Sequence, residues 1–129
     1  MCYTRFAAIA MVMTIMASAT AFSQMSRTPD NVRVAGGMLT DAQGMTLYTF
    51  DKDTTPGKSA CSDKCSDNWP ALSAGSEPTP MGNWSVVTRD DGVKQWAYKG
   101  KPLYTFIQDK KPGDMGGEGK GGVWHMAMP

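Results

Sequence analysis

Residues 48–53 read YTFDKD, and the phrase returns at residues 104–109 as YTFIQD. The match extends outward at a constant offset and includes the Pro-Gly pairs at 56–57 and 112–113. Self-similarity at a fixed spacing is the signature of a fold built from repeated supersecondary units. The sequence therefore predicts two tandem copies of one folding unit.

Each phrase has the pattern of a strand that is apolar on both faces. Leu47 and Thr49 point one way while Tyr48 and Phe50 point the other, because side chains alternate in an extended chain. A strand with large side chains on both faces is more typical of a central position than of a sheet edge. The fold class predicted is all-β, with mostly antiparallel strands in two tandem units. The copies are expected at about residues 32–72 and 84–129 of a single domain that spans 31–129.

Short apolar runs between glycine and aspartate turns predict six strands. We expect a first strand over 32–39, with a bend or bulge at Gly36-Gly37, paired in a hairpin with a strand over 45–50. The second copy is predicted as a three-stranded meander with a tight turn at 90–92. A last strand over 123–128 closes the chain.

Cys61 and Cys65 flank a predicted helical turn that Ser59 caps and Trp69-Pro70 ends. They can form a redox pair, a metal site or a structural disulfide. A redox pair prefers Cys-x-x-Cys, which is one residue shorter, and zinc needs further ligands of which only His125 is available. A disulfide is the default in an exported chain, and so tight a loop stabilises by roughly 2 kcal/mol.

Residues 1–23 have the composition of a cleaved secretory signal peptide, since Arg5 precedes an apolar run that ends in small residues. The run is shorter than the roughly 20 residues of a spanning helix, so we expect no transmembrane segment in the mature chain. Without this peptide, basic and acidic residues are equal in number, which gives no reason to expect nucleic acid as a partner. The predicted location is secreted or periplasmic.

His125, Met126 and Met128 are the candidate metal ligands, because a histidine beside two thioethers suits copper. Against copper, alternation along a strand turns His125 away from the two methionines, which serve equally well as core residues. No serine or cysteine accompanies a histidine and a carboxylate in a recognisable catalytic order. The sequence predicts neither an enzyme nor a resident cofactor.

The repeated phrase, the cysteine spacing and the closing aromatic segment together resemble the family of bacterial secreted repeat proteins and predicted lipoproteins defined by a Y-x4-D motif. The resemblance covers about residues 31–129 and implies an exported repeat fold without a characterised function. Many members resemble lipoproteins, but this chain lacks a cysteine directly after its apolar run, where a lipid would be attached, and Cys2 precedes that run. The positions that match the family pattern are Tyr48, Phe50, Asp53, Trp69, Pro70, Tyr104, Phe106, Asp109 and Trp124.

Within each copy the tyrosine and aspartate of the motif, Tyr48 with Asp53 and Tyr104 with Asp109, can work as a proton-donating pair or can fix a corner at the end of the strand. Duplication favours the corner, because a folding unit is repeated whole more readily than an active site. The function predicted is therefore a non-enzymatic binding or structural module of the envelope, with an envelope protein or a small ligand as its partner. The alternative is a periplasmic protein of copper handling or thiol redox chemistry.

Overall fold

A computed structural model describes residues 28–129 of the chain. The predicted signal peptide lies outside the described residues. Within them, no helix has both the length and the apolar character needed to cross a membrane. The elements are β1 (Val32–Ala35), β2 (Met38–Asp41), β3 (Tyr48–Phe50), α1 (Lys64–Asn68), β4 (Trp84–Thr88), β5 (Lys94–Tyr98), β6 (Lys101–Pro102), a 3-10 turn (Lys120–Gly122) and β7 (Trp124–Met126).

The strands form three small antiparallel sheets, in the orders β1-β2, β3-β7 and β4-β5-β6. One short helix and one 3-10 turn complete the described part of the chain, which confirms the all-β prediction. A three-stranded meander is present in the second copy as β4-β5-β6, but its third strand is Lys101–Pro102. The predicted third strand over 103–107 was wrong, because within these residues only Tyr104 makes strand-like bridges. Isolated bridges, rather than long ladders, join these sheets into one body.

The first predicted strand is in fact two strands. Gly36 and Gly37 have φ angles of 58° and 76° and form the turn between β1 and β2, whose register pairs Ala35 with Met38. Two consecutive residues at positive φ make a tight hairpin turn that matches the twist of the strands, and glycine accepts this conformation at no steric cost. The expectation of a bend or bulge within one strand was therefore wrong.

The two copies meet at the tyrosines of the repeated phrase. The backbone amide of Tyr48 donates to the carbonyl of Tyr104 over 2.7 Å, and the amide of Tyr104 donates back over 3.0 Å. Corresponding residues of the two copies thus face each other across an approximate two-fold axis. β3 lies between Tyr104 on one side and β7 on the other, in agreement with its predicted central position.

Around this axis each copy gives its last segment to the other copy. In the first copy, the Leu72 amide donates to the Leu103 carbonyl over 2.9 Å, and the Leu72 carbonyl accepts from the Trp96 amide over 3.0 Å. Leu72 therefore lies between β5 and the residue that follows β6 in the second copy.

The second copy makes the equivalent contacts in return. The Ala127 amide donates to the Leu47 carbonyl over 2.8 Å, and the Ala127 carbonyl accepts from the Leu39 amide over 2.9 Å. Ala127 thus lies between β2 and the residue that precedes β3 in the first copy. The two units are interleaved, and neither has its full set of strands without the other.

Two clusters of buried side chains fill the body. One cluster holds aliphatic residues with Trp84 and Trp96, and the other holds the aromatic residues of the repeated phrase with Cys61. Ile107, which the strand pattern places beside Leu103 on an apolar face, is 46% exposed instead. The chain leaves the extended conformation after Phe106, because the turn that brings Asp109 back begins there.

Candidate functional site

The tyrosine and aspartate of the motif pair between the copies. The Tyr48 hydroxyl donates to Oδ2 of Asp109 over 2.5 Å, and the Tyr104 hydroxyl donates to Oδ2 of Asp53 over 2.7 Å. The predicted corners within each copy, Tyr48 with Asp53 and Tyr104 with Asp109, were therefore wrong in their partners. Because the strands meet antiparallel at the two tyrosines, each phenol extends towards the loop of the opposite copy.

A turn at the end of each phrase holds the carboxylate in place. The amides of Asp53 and Asp109 donate to the carbonyls of Phe50 and Phe106, over 3.0 and 3.1 Å. The second carboxylate oxygens then accept backbone amides further along the loop, from Ala60 over 2.6 Å and from Gly116 over 3.0 Å. The two corners therefore have the same construction.

Burial keeps the two phenols in their neutral form. Desolvation raises the pKa of Tyr48 far above its usual value, and the hydrogen bond and charge of Asp109 raise it further. Desolvation also raises the pKa of Tyr104, with the charge and hydrogen bond of Asp53 acting in the same direction. Burial raises the pKa of the Asp53 carboxyl too, although the Ala60 amide, Tyr104 and Arg89 act against it. Neither phenol can serve as a base near neutral pH.

The first corner is the one that holds Asp53 and Tyr104, and polar side chains that sequence reasoning missed pack around it. Ser59 Oγ lies 2.6 Å from the Tyr104 hydroxyl. Arg89 Nη1 donates to Ser59 Oγ over 2.9 Å. Arg89 also donates to Gln95 over 2.9 Å and to the carbonyl of Cys61. Although charged, Arg89 is only 9% exposed, and these acceptors satisfy its buried donors.

Ser59 therefore does not cap the helix, contrary to the sequence prediction. Helix α1 begins at Lys64, its N-cap is Asp63, and no side chain hydrogen-bonds the cap. The helix ends at Asn68, immediately before Trp69-Pro70, as expected from the proline.

The predicted disulfide between Cys61 and Cys65 is present, with an Sγ–Sγ distance of 2.05 Å and a Cα–Cα distance of 5.2 Å. Cys61 is fully buried and lies before the helix, whereas Cys65 lies within it. The bond ties the helix to the loop that carries Ser59 and Ala60. The disulfide therefore restrains the loop from which Ser59 contacts Tyr104 and Ala60 contacts Asp53.

The second corner is the one that holds Asp109 and Tyr48, and glycine backbone packs around it. The Gly117 amide donates to the Tyr48 hydroxyl over 3.2 Å. A Cβ atom at Gly117 would lie 2.8 Å from ring atoms of both Tyr48 and Trp69. Only glycine brings the backbone this close, so the glycine-rich stretch of the second copy packs onto the body.

Four aromatic rings of the two copies stack in one column. Phe50 lies on Trp124 with centroids 4.3 Å apart, Trp124 lies on Trp69 at 3.7 Å, and Trp69 lies on Phe106 at 4.3 Å. Each phenylalanine thus contacts the tryptophan of the other copy. Both faces of each tryptophan are covered, and so the tryptophans offer no free face on which a ligand ring can stack.

A family model described as a secreted repeat of unknown function matches residues 32–73 and 85–128. The chain belongs to this family. The predicted membership of a secreted repeat family is confirmed, and the two matched segments coincide with the two interleaved units of the structure. No curated protein and no solved structure matches the chain. The family assignment gives this secreted repeat a place among exported proteins but no activity.

The candidate metal ligands of the secreted repeat lie in different surroundings. His125 Nε2 is 2.8 Å from Oδ2 of Asp51, and its Nδ1 is 3.9 Å from Oε1 of Glu118. Met126 packs against the aromatic cluster, whereas Met128 is exposed. Over residues 28–129, no three histidine, cysteine or acidic side chains are grouped in a way that could hold a metal ion.

A polar cleft of about 300 Å³ lies beside the first corner of the secreted repeat. The disulfide loop and helix α1 form one wall, and the tip of the β4-β5 hairpin forms the other. Ser59 and Arg89 of the corner line it, together with hydroxyl and charged side chains at the rim. The rim residues are Lys58, Ser62, Asp63, Ser66, Thr88, Asp90 and Asp91.

Proposed function

We propose that the secreted repeat is a non-enzymatic binding module and that it recognises a polar ligand or partner at the cleft between the disulfide loop and the β4-β5 hairpin. The observation that carries this proposal is the difference between the two copies at equivalent positions. In the first copy a clipped loop and a buried arginine support a cleft lined by polar side chains. In the second copy the equivalent loop is glycine backbone packed against Tyr48.

The motif residues support a structural role for the rest of the molecule. Both phenols are buried, and both aspartates accept a phenol from the opposite copy and a backbone amide. General acid–base catalysis requires a group that exchanges protons near the working pH and reaches the substrate. Phenols with strongly raised pKa values, whose protons bond to a carboxylate, do not meet this requirement.

The cleft offers the features that a recognition site needs. Its floor is fixed, because Arg89 bonds to Ser59, Gln95 and the Cys61 carbonyl at once. Its rim carries hydroxyl groups and both signs of charge, which suits a ligand with several hydrogen-bonding groups. A preformed floor with polar groups aimed at one space reduces the ordering cost of binding.

The export route is part of the same proposal. We infer that the signal peptide at residues 1–23 is cleaved and that the mature domain works in the periplasm or outside the cell. N-terminal mass determination of the exported protein tests this inference. Small residues of the A-x-A cleavage pattern lie at 17–19 and 19–21. A mature chain that begins after Ala19 or Ala21 therefore supports the inference, and retention of residues 1–23 contradicts it.

Backbone amide NMR tests the cleft. The mature protein is titrated with soluble glycan-chain fragments of the cell wall, with inorganic phosphate and with a short basic peptide. We expect at least one probe to shift the amides of the cleft walls, and Ser62→Trp to abolish that shift. Ser62 is exposed at the rim and its side chain makes no hydrogen bond in the described structure, so the substitution fills the cleft without disturbing the corner.

Ser85→Trp is the matched control, because Ser85 is exposed on β4 and does not line the cleft. If the probe causes the same amide shifts in Ser62→Trp as in the parent protein, the ligand binds elsewhere and the cleft is not the binding site. Covalent labelling of Ser59 by a fluorophosphonate probe would contradict the non-enzymatic character, since it reports a serine nucleophile.

A further inference from the structure

Strand β7 makes its ladder with the first copy. Its register pairs Tyr48 with Met126 and Phe50 with Trp124. Beyond β7, Ala127 bonds to Leu47 on one side and to Leu39 on the other. The first copy therefore contains a slot along β3, with Leu39 of β2 at its end, that a strand from the second copy fills.

The connection to β7 is packed at Gly117, which contacts Tyr48 and Trp69, but residues 118–122 after it are exposed and can change their path. Three of these residues are glycines, and Gly119, Gly121 and Gly122 have φ angles of 75°, 58° and 70°. Glycine also adopts extended conformations readily, so this segment can straighten as well as fold back. The 3-10 turn within it is three residues long and buries no residue.

We propose that a second copy of this chain can fill the slot, so that the secreted repeat forms a reciprocal dimer in which each chain places Trp124–Ala127 into the first copy of the other. The strand keeps its contacts with the first copy in such a dimer, since only the chain that supplies the strand changes. Domain exchange of this kind is a low-cost route to a closed dimer with two-fold symmetry. The two-fold relation within each chain shows that its halves already accept each other's last segments.

A pair of cysteines across β3 and β7 distinguishes the two arrangements. Thr49 and His125 are paired in register, both are partly exposed, and Cα atoms of directly opposed residues lie about 4.5 to 5.5 Å apart, within disulfide range. Thr49→Cys with His125→Cys, in a chain with Cys2→Ser, gives a bond within one chain in the monomer. The same pair gives two bonds between chains in the exchanged dimer.

The matched control is Thr88→Cys with Lys94→Cys in the same Cys2→Ser chain. This pair lies across the β4-β5 hairpin, whose strands are joined by a tight turn and stay in one copy. Both proteins are concentrated in mild denaturant, returned to buffer and oxidised. On a non-reducing gel we expect the β3-β7 pair to give a species of twice the mass and the hairpin pair to stay at the mass of one chain. Single-chain bands for both pairs would overturn the proposal.

Deleting Gly121 and Gly122 gives a second, independent readout. A shortened connection prevents β7 from reaching the first copy of its own chain. The slot in another chain is then the one place where β7 can pair. We expect a dimer by light scattering with an unchanged far-ultraviolet circular dichroism spectrum. A folded monomer would contradict the proposal, and the cysteine pair decides the question whether or not the deletion variant folds.

Discussion

Alkaline pH should destabilise the secreted repeat steeply because Tyr48 and Tyr104 are fully buried phenols. In the unfolded chain both ionise near the ordinary value of 10.0, whereas in the folded protein both pKa values are raised far above it. Above the unfolded-state pKa of about 10, the unfolded state binds fewer protons than the folded state, so the free energy of unfolding falls as pH rises. Each tyrosine contributes a slope of about 1.4 kcal/mol per pH unit, and the two together about 2.7.

Chemical denaturation measured at a series of pH values between about 8 and 11.5 gives this slope directly. The stabilising effect of the neutral phenols is complete below the unfolded-state value of 10.0 and is lost progressively above it. Tyr48→Phe and Tyr104→Phe should each reduce the slope by about 1.4 kcal/mol per pH unit, in addition to lowering stability at neutral pH. Tyr98→Phe is the matched control, because Tyr98 is partly exposed and lies outside both tyrosine–aspartate pairs.

The reasoning is refuted if the slope above the ordinary tyrosine value is the same in the parent protein and in both phenylalanine variants. Such a result would mean that the phenols ionise in the folded protein as they do in the unfolded chain. An equal decrease in the Tyr98→Phe control would also contradict it, since the effect would then not belong to the buried pairs.

Two further changes test the corners separately by chemical denaturation. Gly117→Ala should lower the free energy of unfolding by about 1 to 3 kcal/mol, because its Cβ would overlap the rings of Tyr48 and Trp69; unchanged stability would show that the rings can move aside. Cys61→Ala with Cys65→Ala should lower it by about 2 kcal/mol through the lost loop constraint. Equal stability of the reduced and oxidised parent protein would contradict that second prediction.

Much of the architecture could be predicted from local patterns. The repeated phrase indicated two units, and alternation indicated that β3 has a backbone partner on each side. The turn at residues 90–92 and the Cys61–Cys65 bond followed from turn composition and from the chemistry of an exported chain. Each of these features depends on residues close together in the sequence, where spacing and geometry are linked directly.

The exchange of last segments could not be predicted from the repeat. A repeat shows that Leu72 and Ala127 occupy equivalent places, but it is equally compatible with each lying in its own copy. The same ambiguity affected the tyrosines and aspartates, which were paired by nearness along the chain. The antiparallel contact at Tyr48 and Tyr104 decides the pairing, and it is a tertiary contact without a local signal.

Side chains were missed or misplaced where tertiary contacts override local preference. Ser59 was assigned to a helix cap because serine favours that position, yet it meets Tyr104 and Arg89 from another part of the chain. Arg89 gave no signal at all, since an arginine near a hairpin turn is usually exposed. Its burial follows from three acceptors that only the folded loop provides.

Pairing of tyrosine and aspartate between the copies holds the two units together, and a pair of double-mutant cycles measures it. Denaturation is measured for Tyr48→Phe, Asp109→Ala, Asp53→Ala and the two double variants that contain Tyr48→Phe. Residues that share a buried hydrogen bond couple by about 0.5 to 3 kcal/mol, whereas independent sites add within about 0.5 kcal/mol. The account predicts a coupling of about 1.5 to 3 kcal/mol between Tyr48 and Asp109, since the bond is buried and charge-assisted, and near-additive effects for Tyr48 and Asp53. Strong coupling of Tyr48 to Asp53, with additive effects for Tyr48 and Asp109, would contradict it.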